Sequence, residues 1–280
     1  MATKPVVAGA DGSPESLRAV EWAAREAALR GTSLRIVAIA SMPPRMSPNP
    51  ATHETVAGHI EQAASGALTA AASQAATAAP KVAVETALVE HAAPATALVD
   101  ASQDALMLVL GSRGAGGFTA LVLGSVSRYA ATHATCPVAV VREETTSAHR
   151  EIVVGVHDPA QAVAALGFAF EEAALRKAKL VAVHARARSP FDRHDEPADQ
   201  EQRTLDALLA GWQEKYPDVQ ASGEIMHAHP GRVLAGASAR ADLVVLGRHG
   251  PGSGHGPGVG SITHSVLSHA HGPVVSVPDP

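Results

Sequence analysis

The order of apolar and polar positions along the chain alternates between two patterns. Short, nearly continuous apolar runs are separated by longer segments in which apolar residues recur every three or four positions. The first pattern predicts buried strands and the second predicts amphipathic helices. In the first half the predicted strands are residues 6–10, 34–40, 82–89, 106–110 and 138–141, and the predicted helices are 14–30, 54–78, 93–102 and 125–133.

The second half shows the same alternation. Its predicted strands are residues 152–156, 180–185, 221–227, 243–246 and 274–277, and its predicted helices are 162–176, 201–215, 231–239 and 261–269. Buried strands that alternate with helices indicate a parallel sheet covered on both faces, with right-handed crossovers. We therefore expect an α/β protein of two tandem, doubly wound domains, each with a five-stranded parallel sheet between helices.

The two halves also share sequence. Gly155 follows Gly9 by 146 residues in the same apolar context, whereas Gly247 follows Gly111 by 136. The second copy is thus ten residues shorter in its middle. The polar run 143–150 lies between the copies and predicts domains at 1–145 and 146–280.

Composition narrows the class of protein. Hydrophobic residues make up 46% of the chain, charged residues 18%, aromatic residues 3%, and the net charge is −5. Such a chain can bury a core, but it lacks the basic stripe and the aromatic platforms of nucleic-acid binding proteins. A lone cysteine, Cys136, excludes an intrachain disulfide. Because no apolar leader or membrane-spanning run is evident, we expect a cytoplasmic protein with no membrane partner.

The glycine-rich loops are the strongest chemical signal. Gly111-Ser-Arg-Gly114 is followed after nine residues by Gly124-Ser125, and Gly247-Arg-His-Gly250 by Gly260-Ser261 at the same spacing. Each loop comes after a predicted strand and before a predicted helix. Glycines let backbone N–H groups approach an anion, and the helix N-terminus adds further donors and positive charge. This placement predicts a phosphate site at the carboxyl edge of the sheet.

Two familiar phosphate motifs do not fit these loops. No lysine follows the glycines as in a Walker A loop, and neither loop contains the Gly-x-Gly-x-x-Gly of dinucleotide-binding enzymes. A single loop of this kind is also compatible with an ordinary strand-to-helix turn. Its repetition with identical spacing favours binding.

The pattern Gly-x2-Gly-x9-Gly-Ser resembles the ATP-binding motif of the universal stress protein family. The opening Val-Val-Ala-Gly-Ala-Asp-Gly-Ser resembles that family's first strand and its adenosine-contacting Asp, here Asp11. The resemblance covers nearly the whole chain, twice. It implies a tandem member with the adenine nucleotide alpha hydrolase-like fold, which binds ATP, with Mg²⁺, as a nucleotide-dependent stress-response regulator. It also implies edge pairing of strands 138–141 and 274–277 into an intrachain pseudo-dimer, a homodimer, and an unknown regulatory protein partner.

The resemblance further implies roles for individual residues. Gly9 and Asp11 would hold the nucleoside, and the backbone at Ile39 would contact the adenine edge. The phosphates would be bound by the loop. Its residues are Gly111, Arg113, Gly114, Gly124, Ser125 and Val126. The matching positions of the second half are Gly155, His157, Asp158, Ala185, Gly247, His249, Gly250, Gly260, Ser261 and Ile262.

The second site departs from this pattern. His157 is aligned with Asp11, and Asp158 lies one place later, where a side chain usually points elsewhere. Two alternatives stay open: Asp158 reaches the site from the turn before Pro159, or His157 contacts adenine or faces solvent. The spacer 251–259 consists largely of Gly and Pro and has little to pack, so we expect it to be disordered without ligand. The second site is therefore predicted to be less complete than the first.

Other functions stay open. No residue pattern predicts a catalytic base or a nucleophile, so any enzyme activity would be slow ATP hydrolysis or nucleotidyl transfer. A nucleotide-free interaction scaffold is the second alternative, and a dinucleotide enzyme is a distant third. The histidine pairs 227/229 and 269/271 lack further ligands at metal-binding spacing, so no metal-ligating residues are predicted.

Overall fold

The first unit, Met1–Arg142, alternates strands and helices as the pattern predicts. We describe a computed structural model, for residues 3–41, 50–91, 93–114, 123–142, 149–158, 162–187, 198–248 and 259–279. The elements of the first unit are β1 (Val6–Gly9), α1 (Pro14–Arg30), β2 (Leu34–Ala40), α2 (Pro50–Ala78), β3 (Val84–Glu90), α3 (Pro94–Ala101), β4 (Met107–Gly111), α4 (Ser125–His133) and β5 (Val138–Val141). Its strands pair in parallel in the order β3-β2-β1-β4-β5.

The second unit, Glu143–Pro280, repeats this architecture. Its elements are β6 (Glu151–Gly155), α5 (Val163–Arg176), β7 (Lys179–Ala185), α6 (Ala198–Lys215), β8 (Ala221–Met226), α7 (Pro230–Ala237), β9 (Leu243–Gly247), α8 (Ser261–His269) and β10 (Val274–Val277). The parallel order is β8-β7-β6-β9-β10, which matches the first unit strand for strand. The expected fold class, two doubly wound α/β domains, is confirmed.

The strand order creates a crevice in each unit. β1 pairs with β2 on one side and with β4 on the other, so the chain leaves β1 and β4 toward opposite halves of the sheet. A doubly wound sheet binds its ligands at such a switch point, outside the carboxyl ends of the strands. The residues of β1 and β4 are fully buried, which fixes the floor of this crevice.

The predicted bounds differ from the structure by a few residues. Val82 is predicted in a strand, but its N–H donates to the carbonyl of Ala79 in a turn, and β3 begins only at Val84. The helix predicted from residue 54 begins at Pro50, where the fixed proline φ suits a first helical turn. Among the described residues, no helix is both long enough and apolar enough to cross a membrane.

The first helix of each unit ends in the same way. Gly31 follows α1 with φ +63°, and Lys177 follows α5 with φ +50°, so both adopt the left-handed conformation that closes a helix. In each helix a buried glutamate pairs with the arginine four residues later: Glu26 with Arg30 and Glu172 with Arg176. The duplicated sequence thus gives duplicated local structure.

Candidate functional site

A cavity of about 540 Å³ opens at the carboxyl ends of β1 and β4 in the first unit. This volume lies within the range of ordinary small-molecule sites, about 300–1,000 Å³. The apolar side chains that line it include Val37, Leu98 and Leu110, and the polar ones include Asp11 and Arg113. All the residues that the sequence singles out in the first half line it: Gly9, Asp11, Ile39, Gly111, Arg113, Gly114, Gly124, Ser125 and Val126.

Asp11 is held in place by residues close to it in sequence. Its Oδ1 accepts from the N–H of Ser13 at 3.0 Å and from the hydroxyl of Ser13 at 2.6 Å. Ser13 is also the N-cap of α1, since its Oγ accepts from the N–H of Ser16 at 3.1 Å. The hydroxyl of Ser16 in turn accepts from the N–H of Asp11 at 3.3 Å. The carboxylate is therefore positioned by the start of a helix, before any ligand arrives.

The glycines of the loop are required by close neighbours. A Cβ atom built on Gly114 would lie 2.6 Å from Oδ2 of Asp11. A Cβ atom on Gly111 would lie 2.8 Å from the backbone carbonyl carbon of Glu15, in the first turn of α1. Only glycine fits at these two positions without displacing the neighbour. The loop is thereby brought against Asp11 and the start of α1.

Two hydrogen bonds close the base of the loop. The N–H of Gly124 donates to the carbonyl of Ser112 at 2.8 Å, and the hydroxyl of Ser127 donates to the carbonyl of Gly111 at 2.6 Å. Gly124 is the N-cap of α4, and no side chain caps this helix. No capping side chain therefore occupies the first amides of α4, and Ser125 and Val126 in its first turn line the cavity. This is the arrangement that binds anions.

Arg113 provides positive charge at the same place. Among the described residues that line the cavity, it is the one basic side chain. Its Nη2 lies 3.3 Å from Oε1 of Glu15, and Nη2 of Arg18 lies 3.6 Å from the same oxygen. Glu15 does not line the cavity itself and is connected to it through Arg113.

The corresponding cavity of the second unit is much smaller, about 60 Å³. Of the residues singled out in the second half, Gly155, His157, Asp158, Ala185, Gly247 and Ile262 line it. Gly260 and Ser261 stand at the start of α8. His249, Gly250 and nearly all of the spacer predicted to be disordered lie outside the described residues.

Comparison with known proteins identifies the family. The model of the Universal stress protein family matches residues 2–142 and again residues 149–278. The chain belongs to the universal stress protein family. It is 35% identical over 300 residues to universal stress protein Rv1996 of Mycobacterium tuberculosis, covering 96% of this chain and 93% of that protein. It is 34% identical over 289 residues to universal stress protein Rv2623 of the same species, covering 96% and 95%.

Solved structures agree with the fold. A universal stress protein from Archaeoglobus fulgidus superposes with a TM-score of 0.72 at 16% identity, covering 99% of this chain and 97% of that one. At this identity the likeness concerns the fold alone. The two family matches within one chain make it a tandem universal stress protein, as the sequence predicts.

The second universal stress protein unit keeps the loop base but changes the carboxylate. The N–H of Gly260 donates to the carbonyl of Arg248 at 2.9 Å, and the hydroxyl of Thr263 donates to the carbonyl of Gly247 at 2.9 Å. These bonds repeat those of the first unit. The side chain that matches Asp11, however, is the exposed imidazole of His157.

His157 has an unusual environment. Its ring lies nearly parallel to that of His184, with the centroids 6.0 Å apart. Partial desolvation lowers the pKa of His157 below 6.5, repulsion from His184 lowers it further, and the Asp158 carboxylate opposes the shift. The second unit therefore favours a neutral ring where the first unit has an acid.

Sequence reasoning missed part of the wall of the first cavity. Pro94, Leu98, Leu110 and Ser127 line it but were not singled out. A signal for them exists, because three of the four recur 136 residues later around the second cavity, as Pro230, Leu234 and Leu246. Ser127 is matched there by another hydroxyl residue, Thr263.

Within the described ranges, no group of three or more His, Cys, Asp and Glu side chains is placed to hold a metal ion. The residues around the first cavity instead offer hydrogen-bond donors, one carboxylate and one guanidinium.

Proposed function

We propose that the first unit binds ATP and that the chain acts as a nucleotide-dependent stress-response regulator. One observation supports this most directly. A cavity of about 540 Å³ is lined by Asp11, whose carboxylate accepts from Ser13, and by Ser125 and Val126 at the start of α4, which no side chain caps. A nucleotide needs an acceptor for its sugar or base and donors for its phosphates. Both are available within one cavity.

The chemistry of each part fits an adenine nucleotide. Leu98 and Leu110 offer an apolar surface to the base, and the backbone at Ile39 offers polar groups to its edge. Asp11 would accept from a ribose hydroxyl or from the adenine amino group. The amides of α4 and the Ser125 hydroxyl would donate to phosphate oxygens.

Where a cradle for phosphate is expected, the backbone of Glu15 requires glycine at position 111, and a side chain at position 114 would displace the Asp11 carboxylate. Bound ATP would supply the negative charge that this cradle and Arg113 complement. Mg²⁺ would arrive on the phosphates and keep several waters, as it does in most nucleotide sites.

Regulation follows from differential binding. A ligand that binds one conformation better than another shifts their populations by as much as its two affinities differ. At a hundred times Kd, a ligand that binds only the ordered form stabilises it by about 2.7 kcal/mol. Nucleotide binding to the loop could thereby order a surface for a regulatory protein partner. Such a partner, a cytoplasmic location and homodimer formation remain predictions.

Calorimetry with Mg·ATP tests the proposal, with Asp11→Asn as the main variant. The amide oxygen of Asn keeps an acceptor for Ser13, so the start of α1 is preserved while the charge and the second acceptor oxygen are lost. Because hydrogen bonds to charged groups contribute about 1.5–3 kcal/mol, affinity should fall about 10- to 100-fold. Asp158→Asn makes the same change in the second unit and should have little effect.

The protein should also be purified without added nucleotide, denatured and analysed by mass spectrometry for released ligand. Released ATP supports the proposal. Release of ADP with turnover that Asp11→Asn abolishes would favour a slow ATPase. No released nucleotide and no calorimetric binding would leave the interaction scaffold as the better interpretation.

A further inference from the structure

We infer that Glu15 sets how strongly the first site distinguishes ligands by their phosphate charge, through its ion pair with Arg113. This inference rests on the proposed nucleotide binding. Arg113 lines the cavity beside Gly114, whereas Glu15 lies outside it. Glu15 would therefore be a positioning residue, which acts through Arg113 and does not touch the ligand.

The ion pair puts Glu15 in competition with a phosphate. Nη2 of Arg113 lies 3.3 Å from Oε1 of Glu15, and the Arg113 side chain remains 47% exposed. A guanidinium this exposed is free to exchange one anionic partner for another at small cost. A phosphate group at the loop would attract the guanidinium, while Glu15 holds it back and also repels the phosphate.

Arg18 makes the exchange easier. Its Nη2 lies 3.6 Å from the same Glu15 oxygen, so the carboxylate retains a cationic neighbour when Arg113 moves to a ligand. Arg18 is itself fixed, because its Nε donates to the carbonyl of Arg142 at 3.0 Å. The backbone of Glu15 lies close to Gly111, so the base of this side chain is held beside the loop.

The second unit lacks this arrangement in its sequence. With the offset of 146 residues, Gln161 matches Glu15 and Ala164 matches Arg18. The variant Glu15→Gln therefore gives the first unit the residue that the second unit already has. The effect on phosphate discrimination belongs to the first unit alone.

The test measures the affinities of Mg·ATP, AMP and adenosine by calorimetry for the full chain. Glu15→Gln should raise the affinity for Mg·ATP about fivefold, as expected for release of a solvent-exposed ion pair. AMP should gain less and adenosine should not change. The gain should shrink as salt is added, because exposed charges are screened. Arg18→Gln should act in the opposite direction and weaken Mg·ATP binding.

Two controls separate positioning from structure. Glu85→Gln makes the same change in net charge on β3, where Glu85 pairs with the exposed Arg35, and should leave all three affinities unchanged. In an Arg113→Gln background, Glu15→Gln should give a clearly smaller gain in the ratio of ATP to adenosine affinity, because only the direct repulsion between Glu15 and the phosphate is then removed.

The outcomes are distinct. An unchanged ATP to adenosine ratio in Glu15→Gln, or the same gain without Arg113, would overturn this inference and leave the proposed function standing. If the wild-type chain binds none of the three ligands, both the proposed function and this inference fail.

Discussion

The imidazole rings of His157 and His184 lie nearly parallel, with their centroids 6.0 Å apart. In the first unit the same two positions are held by Asp11 and the buried Ala38. Nδ1 of His184 lies 3.0 Å from the carbonyl oxygen of Val156 and donates to it, which fixes one of the two rings. Two histidines thus replace a carboxylate and a methyl group at the edge where the first unit has its site.

This pair predicts a pH dependence of stability. The pKa of His157 is lowered in the folded chain, so the unfolded chain binds the proton more readily. The free energy of unfolding of the second unit should therefore be highest above about pH 6.5 with respect to this group. It should fall as the pH drops below that value toward the lower pKa of His157 in the folded chain. His157→Gln should lose less stability than wild type between pH 7.5 and pH 5.5.

Urea unfolding followed by Trp212 fluorescence checks this, since Trp212 lies in α6 of the second unit. His133→Gln, in α4 of the first unit, is the matched control. An NMR titration that places the pKa of His157 above 6.5 would contradict the prediction.

The two cavities predict unequal nucleotide binding. The second cavity measures about 60 Å³ against about 540 Å³ for the first, and small-molecule sites ordinarily measure about 300–1,000 Å³. The second unit also lacks a carboxylate at the position of Asp11. Calorimetry should therefore give one tight Mg·ATP per chain, and Asp11→Asn should weaken that binding about 10- to 100-fold. Two equivalent sites of equal affinity would show that the second cavity opens at little cost.

The helix ends predict a stabilising substitution. Lys177 and Gly31 occupy matching left-handed positions, with φ of +50° and +63°. Glycine adopts this conformation without the steric cost that a side chain brings. Lys177→Gly should stabilise the second unit by about 0.5–1 kcal/mol, and Gly31→Lys should destabilise the first by about 1 kcal/mol.

Denaturation monitored separately through Trp22 in α1 and Trp212 in α6 measures both effects. The prediction is wrong if the two substitutions change stability in the same direction.

Breaking the buried ion pair of Glu172 and Arg176 should lower the free energy of unfolding by more than the helix-end substitutions do. The Glu172 side chain is fully buried and lies 2.5 Å from Nη1 of Arg176. Glu172→Gln deprives a largely buried guanidinium of its charged partner and should cost about 3 kcal/mol of unfolding free energy. Replacing both residues, Glu172→Leu with Arg176→Met, should recover most of that loss.

The exposed pair of Arg35 and Glu85 is the control for this experiment. Its side chains are 40% and 71% exposed, so Glu85→Gln should cost less than about 0.5 kcal/mol. Equal losses in Glu172→Gln and Glu85→Gln would show that burial does not decide the strength of these pairs.

The ends of helices were predictable from the sequence where residues next to each end determine it. α1 extends over residues 14–30 as predicted, because Ser13 caps its first turn and Gly31 ends it. α4 and α8 also match, since each begins directly after a glycine. The start of β3 was not predictable in the same way, because the apolar Val82 belongs to a turn that is closed by Ala79.

The sequence by itself determined the duplication, the order of strands and helices, the fold class and the positions of the glycine loops. These features depend on the spacing of apolar residues and on the positions of glycines, which determine the conformation of a few neighbouring residues. Only the tertiary structure decided that Glu15 meets Arg113, 98 residues away, and that one cavity measures about 540 Å³ and the other about 60 Å³. Such distances depend on how strands align and how side chains pack across the sheet, and local patterns do not specify shifts of a few ångströms.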